Sequence, residues 1–199
     1  MPGNPWTSHA DSNLEHLRVP SHAQPTDEAE CVVYSLWMVS NYVGNEFPDA
    51  KVREETNVPT IGDIHEYIQP DPKTGWKPNQ DDLTELSAYV SSLHFSLEQR
   101  SGNPPRELSE LAEESLENDL PLIAVIDALQ LRRGIRRSGP LHTVVIAGVD
   151  DDEIAFADPW YAKMDNAPKE NLEDAWDPML QQTIDVSLSG NVDSQEEEQ

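Results

Sequence analysis

Apolar residues along this chain of 199 residues follow a helical spacing in the first half and a strand spacing in the second. Residues 31–42 are apolar on nearly every face, which predicts a buried central helix, and Gly44 and Asn45 supply a stop after it. Asn79 and Pro105 are suitable starts for two later helices. These two helices are predicted over 80–93 and 105–116, and a third, short helix is predicted over 61–68.

The second half carries the apolar runs that are typical of β-strands. A polar turn at 150–153 separates two such runs and predicts a hairpin. The predicted strands are 95–98, 120–126, 141–149, 154–157 and 182–188. Because most helices precede an antiparallel sheet, the pattern indicates the α+β class.

Composition separates one domain from two polar ends. Residues 1–23 form a polar arm that contains several prolines, and residues 189–199 form an acidic tail that is expected to be disordered. Residues 24–188 lie between them and are long enough to bury one core.

The net charge of −25 comes from 38 acidic and 13 basic residues spread along the chain. An acidic surface repels phosphate groups, which argues against nucleic acid as a partner and against binding to anionic membranes. The acidity suggests a halophilic, salt-loving source organism. One cysteine forbids an internal disulfide, and neither a secretory signal nor a membrane-spanning run is visible, so the expected location is the cytoplasm.

Three residues suited to nucleophilic catalysis stand at the ends of predicted elements. Cys31 opens the buried helix, His142 opens the first strand of the hairpin, and Asp158 closes the second strand. A helix N-terminus and a nearby imidazole both favour the thiolate, which is the reactive form of cysteine. Neighbouring strands lie about 4.8 Å apart, so an imidazole–carboxylate hydrogen bond is within reach and would orient the ring. The set predicts a cysteine hydrolase.

The acidic residues just before the cysteine argue against easy activation. Asp27, Glu28 and Glu30 place negative charge close to the sulfur of Cys31, and this is expected to raise the pKa of the thiol. High salt would weaken the effect if these carboxylates face solvent.

At these residues the chain resembles the papain-like cysteine peptidases, over residues 20–188. It is most similar to the branch that removes double-glycine leader peptides from bacteriocin precursors, and to the stand-alone relatives of that branch. The resemblance rests on Gln24, on Cys31 opening a buried helix, and on His142 and Asp158 followed by Pro159 in a hairpin. It implies a papain-like peptidase domain over 24–188.

The resemblance also implies a role for each of these residues. Cys31 would be the nucleophile, His142 the general base and then acid, and Asp158 the residue that orients the imidazole. Gln24 would stabilise the oxyanion together with the backbone N–H of Cys31. Two departures stand out, since Gln24 lies one residue farther from the cysteine than is usual in the family, and Val32 replaces the common glycine.

Several residues are candidates for substrate binding. Arg133 and Arg136 lie in a basic stretch before His142, where they would capture an acidic substrate segment or a C-terminal carboxylate, or only offset nearby negative charge. Trp160 and Tyr161 would line a substrate pocket, with at least one of them expected to pack in the core. The histidines lack the spacing of metal ligands, so no metal or other cofactor is expected.

Two alternatives remain open at this stage. A transglutaminase-like or arylamine-acetyltransferase-like acyl transferase uses the same order of cysteine, histidine and aspartate, although its cysteine and histidine usually lie closer in sequence. A catalytically inactive member would bind a peptide or a partner protein, and Val32 and the acidic residues before Cys31 favour it. The expected partner is a peptide or protein substrate, with a partner protein encoded nearby as a further option.

Overall fold

The computed structural model describes residues 14–25, 30–70, 79–99, 106–133, 141–176 and 181–189. These residues form an antiparallel sheet with the strand order β1-β6-β2-β3-β4-β5. The strands are β1 Leu93–Gln99, β2 Leu122–Asp127, β3 Leu141–Val149, β4 Glu153–Asp158, β5 Lys163–Pro168 and β6 Gln182–Leu188. The helices are α1 Cys31–Asn41, α2 Ala50–Glu55, α3 Ile61–Ile68, α4 Gln80–Val90, α5 Leu108–Leu116, α6 Ala128–Arg133 and α7 Lys169–Trp176.

Both faces of the sheet are covered, which explains why β3 is apolar without alternation. Successive side chains of a strand point to opposite faces. Val145 and Ala147 belong to the core cluster that contains α1, α3 and α4, whereas Val144 and Ile146 belong to the cluster that contains α5 and α7. The strand that begins with Leu141 and His142 is therefore fixed from two sides.

Helix α1 is the buried central helix that the sequence predicts. Val33, Leu36 and Val39 have no exposed surface, and burial of each such side chain contributes about 1.5–3 kcal/mol relative to an exposed one. The helix packs against α3 on one side and β3 on another. Cys31 is its first residue, so the position of the sulfur depends on this packing.

The predicted stop at Gly44 and Asn45 is wrong. The chain continues beyond α1 in a π-helical turn, Tyr42–Glu46, and the backbone N–H of Phe47 donates to the carbonyl of Tyr42 at 2.8 Å. A Cβ at Gly44 would lie 2.0 Å from Val58 Cγ2. The glycine is needed for this close approach and does not end the helix.

The helices α3 and α4 confirm two further predictions and correct one end. Helix α3 has the predicted bounds and begins with a capping box between Thr60 and Asp63. The Asn79 side chain caps α4, accepting a hydrogen bond from the backbone N–H of Asp81 at 3.0 Å. The helix ends at Val90 instead of residue 93, because Ser91 has a positive φ of 73° that breaks the helical path.

The predicted helix over 105–116 appears as α5, which begins at Leu108. Pro105 lies outside the described residues. The start is capped from elsewhere in the chain: the Glu173 carboxylate on α7 accepts hydrogen bonds from the backbone N–H groups of Leu108 and Ser109 at 2.8 and 2.7 Å. This contact between distant segments was invisible in the local pattern.

The predicted strands are confirmed within a few residues at each end, but four elements were missed. These are α2, α6, β5 and α7. Strand β5 lies at the edge of the sheet and its exposure is mixed, so it lacks a clean apolar alternation. Since α6 lies between β2 and β3 and α7 lies between β5 and β6, helices and strands are more interleaved than the sequence suggested. The α+β class and the antiparallel sheet are confirmed.

The described part of the N-terminal arm packs on the domain. The backbone N–H of Leu17 donates to the carbonyl of Ala147 at 2.8 Å, and Val19 is buried in the core. A Cβ at Gly148 would lie 2.7 Å from the carbonyl oxygen of Glu15. The division of the chain after residue 23 stays a prediction, and residues 190–199 of the predicted tail lie outside the described part. Within the described ranges, every helix is too short or too polar to cross a bilayer.

Candidate active site

The hairpin of β3 and β4 brings His142 and Asp158 together. The turn at its far end is held by the Asp150 carboxylate, which accepts hydrogen bonds from the backbone N–H groups of Asp152 and Glu153. At the opposite end, His142 Nε2 lies 2.8 Å from Asp158 Oδ1. Both side chains are buried, so this bond is shielded from competing water.

The Asp158 carboxylate is fixed by a second donor. The backbone N–H of Trp160 donates to the same Oδ1 atom at 2.8 Å. The Trp160 ring is tilted by 40° against the imidazole of His142, with 5.1 Å between the centroids. The carboxylate and the imidazole are thus held by hydrogen bonds, and the imidazole also by contact with the Trp160 ring.

Cys31 is half-buried and forms a hydrogen bond with His142. Since His142 Nε2 donates to Asp158, Nδ1 is the ring nitrogen available to the sulfur. Burial raises the pKa of Cys31, but the hydrogen bond and the charge of His142, together with hydrogen bonds from Thr143, outweigh it, and the pKa is lowered. A lowered pKa favours the thiolate.

The pKa of His142 moves in the complementary direction. Burial acts to lower it, but hydrogen bonds and charge from Asp158 and Cys31 raise it to about 9. At neutral pH the His142 ring is therefore protonated, and the lowered pKa of Cys31 shifts the sulfur toward the thiolate. This charge distribution is suited to attack on a carbonyl followed by proton donation to a leaving group.

The acidic residues before Cys31 were expected to act to raise the pKa of the thiol, yet its pKa is lowered. Glu30 Oε1 lies 2.8 Å from His65 Nε2 on α3, so this carboxylate is held by an imidazole beside the start of α1. Asp27 and Glu28 lie outside the described residues. His65 was missed as part of this region, because nothing in its local sequence indicates that α3 packs against α1.

Gln24 lies beside the residue that follows Asp158. Its backbone N–H donates to the carbonyl of Pro159 at 2.8 Å, and its side chain is buried. Two residues earlier, the His22 ring stacks on Tyr34 of α1 at 5.6 Å with an angle of 7° between the planes. The structure thus brings the Gln24 segment against both the hairpin and helix α1.

The other predicted binding residues divide into two groups. Trp160 lies at the site against the ring of His142. Arg136 and the side chain of Arg133 lie outside the described residues. Tyr161, the other pocket candidate, is exposed, and its backbone N–H donates to the carbonyl of Asp158. Leu141 directly precedes His142, is also exposed, and was missed. An exposed leucine next to a catalytic candidate was the signal that could have found it.

Two buried hydroxyl groups beneath the site were also missed. Ser35 Oγ and Thr143 Oγ1 lie 3.0 Å apart, and Thr143 is hydrogen-bonded to Cys31. Their positions carried a signal, since Ser35 comes one helical turn after the cysteine and Thr143 directly follows the histidine.

The antiparallel sheet, the buried helix that begins with a cysteine and the hairpin that carries the histidine and aspartate together form the fold of the papain-like cysteine peptidases. The chain belongs to the Peptidase_C39 like family, whose model matches residues 16–184. The resemblance found in the sequence is therefore confirmed for the family and for the fold.

Solved structures agree with this assignment. The chain is similar to a protein from Bacillus anthracis described as a C39-like peptidase, with 19% identity, a TM-score of 0.55, and coverage of 87% of this chain and 97% of the other. It is also similar to the peptidase domain of Streptococcus ComA, a bi-functional ABC transporter involved in a quorum-sensing pathway. There the identity is 13%, the TM-score 0.57, and the coverage 85% of this chain and 98% of that domain. At these identities the likeness is one of fold. No curated protein matches the chain.

Proposed function

We propose that this protein is a cysteine peptidase that hydrolyses a peptide or amide bond through an acyl-enzyme. Cys31 is the nucleophile, His142 the general acid and base, and Asp158 the residue that orients the imidazole. One observation carries the proposal: the buried His142 ring is hydrogen-bonded on one side to Asp158 at 2.8 Å and on the other to Cys31. The family and the fold support it.

In the first half of the reaction, the Cys31 thiolate attacks the carbonyl carbon of the substrate and a carbon–sulfur bond forms. The tetrahedral intermediate collapses as the carbon–nitrogen bond breaks, and the imidazolium of His142 donates its proton to the departing amine. An acyl-thioester on Cys31 and a neutral imidazole remain.

In the second half, His142 takes a proton from a water molecule, which attacks the thioester. The carbon–sulfur bond then breaks, the acid product leaves, and the thiolate and the imidazolium are restored. Gln24 is assigned to the oxyanion of both tetrahedral intermediates, together with the backbone N–H of Cys31. Its attachment to Pro159 supports this role because the segment lies against the catalytic hairpin.

The exposed apolar surface beside the site supports a peptide substrate. Leu141 and Tyr161 are 39% and 44% exposed, and both directly adjoin the catalytic hairpin. We assign them, with Trp160, to contacts with substrate side chains, and we keep Arg133 and Arg136 as candidates for an acidic segment or a carboxylate. A peptide or protein in the cytoplasm remains the proposed partner, and the negative charge disfavours nucleic acid.

Two observations count against the inactive alternative. The Val32 side chain is buried in the core cluster around α1, so it does not narrow an open cleft. The carboxylate of Glu30 is held by His65, and the pKa of Cys31 is lowered. No observation favours an acyl transferase.

The pH profile of peptide hydrolysis tests the proposal. Activity is expected to be lost toward low pH, where the lowered pKa of Cys31 is crossed and the sulfur becomes protonated. It is expected to fall again above a pH of about 9, where His142 loses the proton that the leaving amine requires. The measurement is kcat/KM against pH, with a fluorogenic peptide mixture that includes apolar residues.

Cys31→Ser is the matched control, because it keeps the size of the side chain and removes the nucleophilic sulfur. It should lose nearly all hydrolysis while retaining the fold. Full activity in this variant would exclude covalent catalysis by Cys31. In the unmodified protein, a strong preference for an amine over water as acyl acceptor would favour the transferase.

A further inference from the structure

Two buried hydroxyl groups connect the catalytic helix to the catalytic strand. Ser35 lies one turn after Cys31 on α1, and Thr143 directly follows His142 on β3. Their oxygen atoms are 3.0 Å apart, and the exposed fractions are 0% for Ser35 and 4% for Thr143. The contact therefore lies beneath the pair of reacting side chains and away from water.

Ser35 uses its hydroxyl differently from Ser40 and Ser87, two other buried serines in helices. Ser40 on α1 and Ser87 on α4 each donate to a carbonyl four residues earlier, at 2.8 and 2.7 Å. That local bond is the ordinary way for a helical serine to satisfy its hydroxyl. Ser35 instead reaches across to β3, so its bond joins two elements that carry the site.

Thr143 also contacts the nucleophile. Hydrogen bonds from its hydroxyl and from its backbone N–H both act to lower the pKa of the Cys31 thiol. A hydroxyl has one proton to donate and can accept through its oxygen. When the Thr143 proton points at a thiolate, which can only accept, the bond between Ser35 and Thr143 requires Ser35 to be the donor. The three groups then form a chain of hydrogen bonds directed toward the sulfur.

We propose that Thr143 is a further catalytic residue, whose hydroxyl, ordered by Ser35, donates a hydrogen bond to the Cys31 thiolate and holds the sulfur charged and facing His142 before substrate arrives. This inference rests on the proposed function. Thr143 touches the reacting sulfur, whereas Ser35 acts through Thr143 and is a positioning residue.

The charged groups around the sulfur lie on several elements, and none of them is altered by removing the hydroxyl. His142 on β3 contacts Cys31, and Asp158 on β4 contacts His142 from the other side. Glu30 precedes α1 and is paired with His65 on α3. A change in thiolate stability after substitution of Thr143 therefore reports the hydrogen bond.

The test is the rate of Cys31 alkylation by iodoacetamide as a function of pH in Thr143→Val and Thr143→Ser. The chain has one cysteine, so the reaction reports this sulfur alone. Thr143→Val removes the hydroxyl with little change of shape. Alkylation at pH 6 is expected to slow by about tenfold, the effect of losing one hydrogen bond to a charged group. The midpoint of the curve of alkylation rate against pH moves to higher pH, and the maximal rate at high pH stays unchanged.

Thr143→Ser should restore the original profile, because it returns the hydroxyl. Ser35→Ala is expected to move the midpoint in the same direction by a smaller amount. Ser40→Ala removes a buried hydroxyl from the same helix and Thr183→Val removes one from β6, so both serve as controls that leave the midpoint unchanged.

The possible failures are distinguishable. If the midpoint is low in the unmodified protein and unchanged in Thr143→Val, the inference is overturned while the proposed function stands. If the unmodified protein already has the midpoint of an ordinary thiol, the proposed function itself fails. A purely structural role would lower the melting temperature without moving the midpoint. If Thr143→Val does not fold, the Ser35→Ala variant provides the test. An unchanged midpoint of its alkylation curve then overturns the inference.

Discussion

The hairpin of β3 and β4 and the segment before helix α1 reach the proposed active site by different means. In the hairpin, backbone pairing between β3 and β4 aligns His142 with Asp158. In the described N-terminal residues 14–25, a backbone bond joins Gln24 to Pro159, and ring stacking joins His22 to Tyr34. One side of the site is set by sheet register and the other by a few tertiary contacts.

This difference implies that the two sides respond differently to mutation. The hairpin is buried between two core clusters, so its geometry should survive loss of a catalytic side chain. The N-terminal segment depends on individual contacts, so its geometry should be lost more easily. Substitutions on the two sides can measure this contrast.

The largest effect is expected at Asp158. Asp158→Ala removes the acceptor that orients His142, and kcat/KM should fall by about 10² to 10³. Asp158→Asn should cost much less, because an amide oxygen in the place of Oδ1 can still accept from His142 Nε2 and from the backbone N–H of Trp160. The measurement is kcat/KM for the two variants, with melting temperature as the control for folding.

Equal losses in the two variants would contradict this view of the hairpin, since they would mean that charge matters and orientation does not. The alkaline side of the profile of kcat/KM against pH gives a second check. It should move to lower pH in Asp158→Asn, because the carboxylate raises the pKa of His142.

An intermediate effect is expected at Gln24. Gln24→Ala should lower kcat by about 10² with little change in KM, which is the signature of a donor that acts in the transition state. Gln182→Ala, which also changes a buried glutamine but on β6, is the matched control and should leave kcat unchanged. If Gln24→Ala retains full kcat, the N-terminal segment plays no part in the chemistry and the comparison reduces to the hairpin alone.

The smallest effect is expected at His65. His65→Ala releases the Glu30 carboxylate beside the start of α1, which should raise the pKa of Cys31 and slow its alkylation at pH 6 by a few-fold. Molar salt should remove most of this effect, because the screening length falls to about 3 Å. His94→Ala on the edge strand β1 is the control. A salt-independent loss would indicate that His65 supports packing instead of screening charge.

The sequence predicted the hairpin side of the site better than the other side. His142 and Asp158 could be paired because two apolar runs around an acidic turn determine a hairpin and its open end. Thr143 and Ser35 could not be paired, since their contact depends on how α1 is rotated against β3. The same limit applies to Glu30 and His65, which meet only because α3 packs against α1.

The fold shows the same division between local and distant causes. Elements with strong periodicity, such as α1 and β6, were found with nearly correct bounds. Strand β5 was missed because an edge strand needs no apolar alternation, and the start of α5 depends on Glu173, which is distant in sequence. In the π-helical turn at Tyr42–Glu46, Gly44 lies so close to Val58 that a side chain would not fit, and no local pattern encodes this contact.

Gly148 joins the two regions, because it is the point on the hairpin where the backbone of Glu15 comes too close to allow a side chain. Adding a single methyl group there would push the incoming chain away from the sheet, several residues before it reaches Gln24. A mutation remote from every reacting atom would then loosen one half of the catalytic centre and leave the other half in register. Variation at this position would separate the two halves without altering any group that takes part in the chemistry.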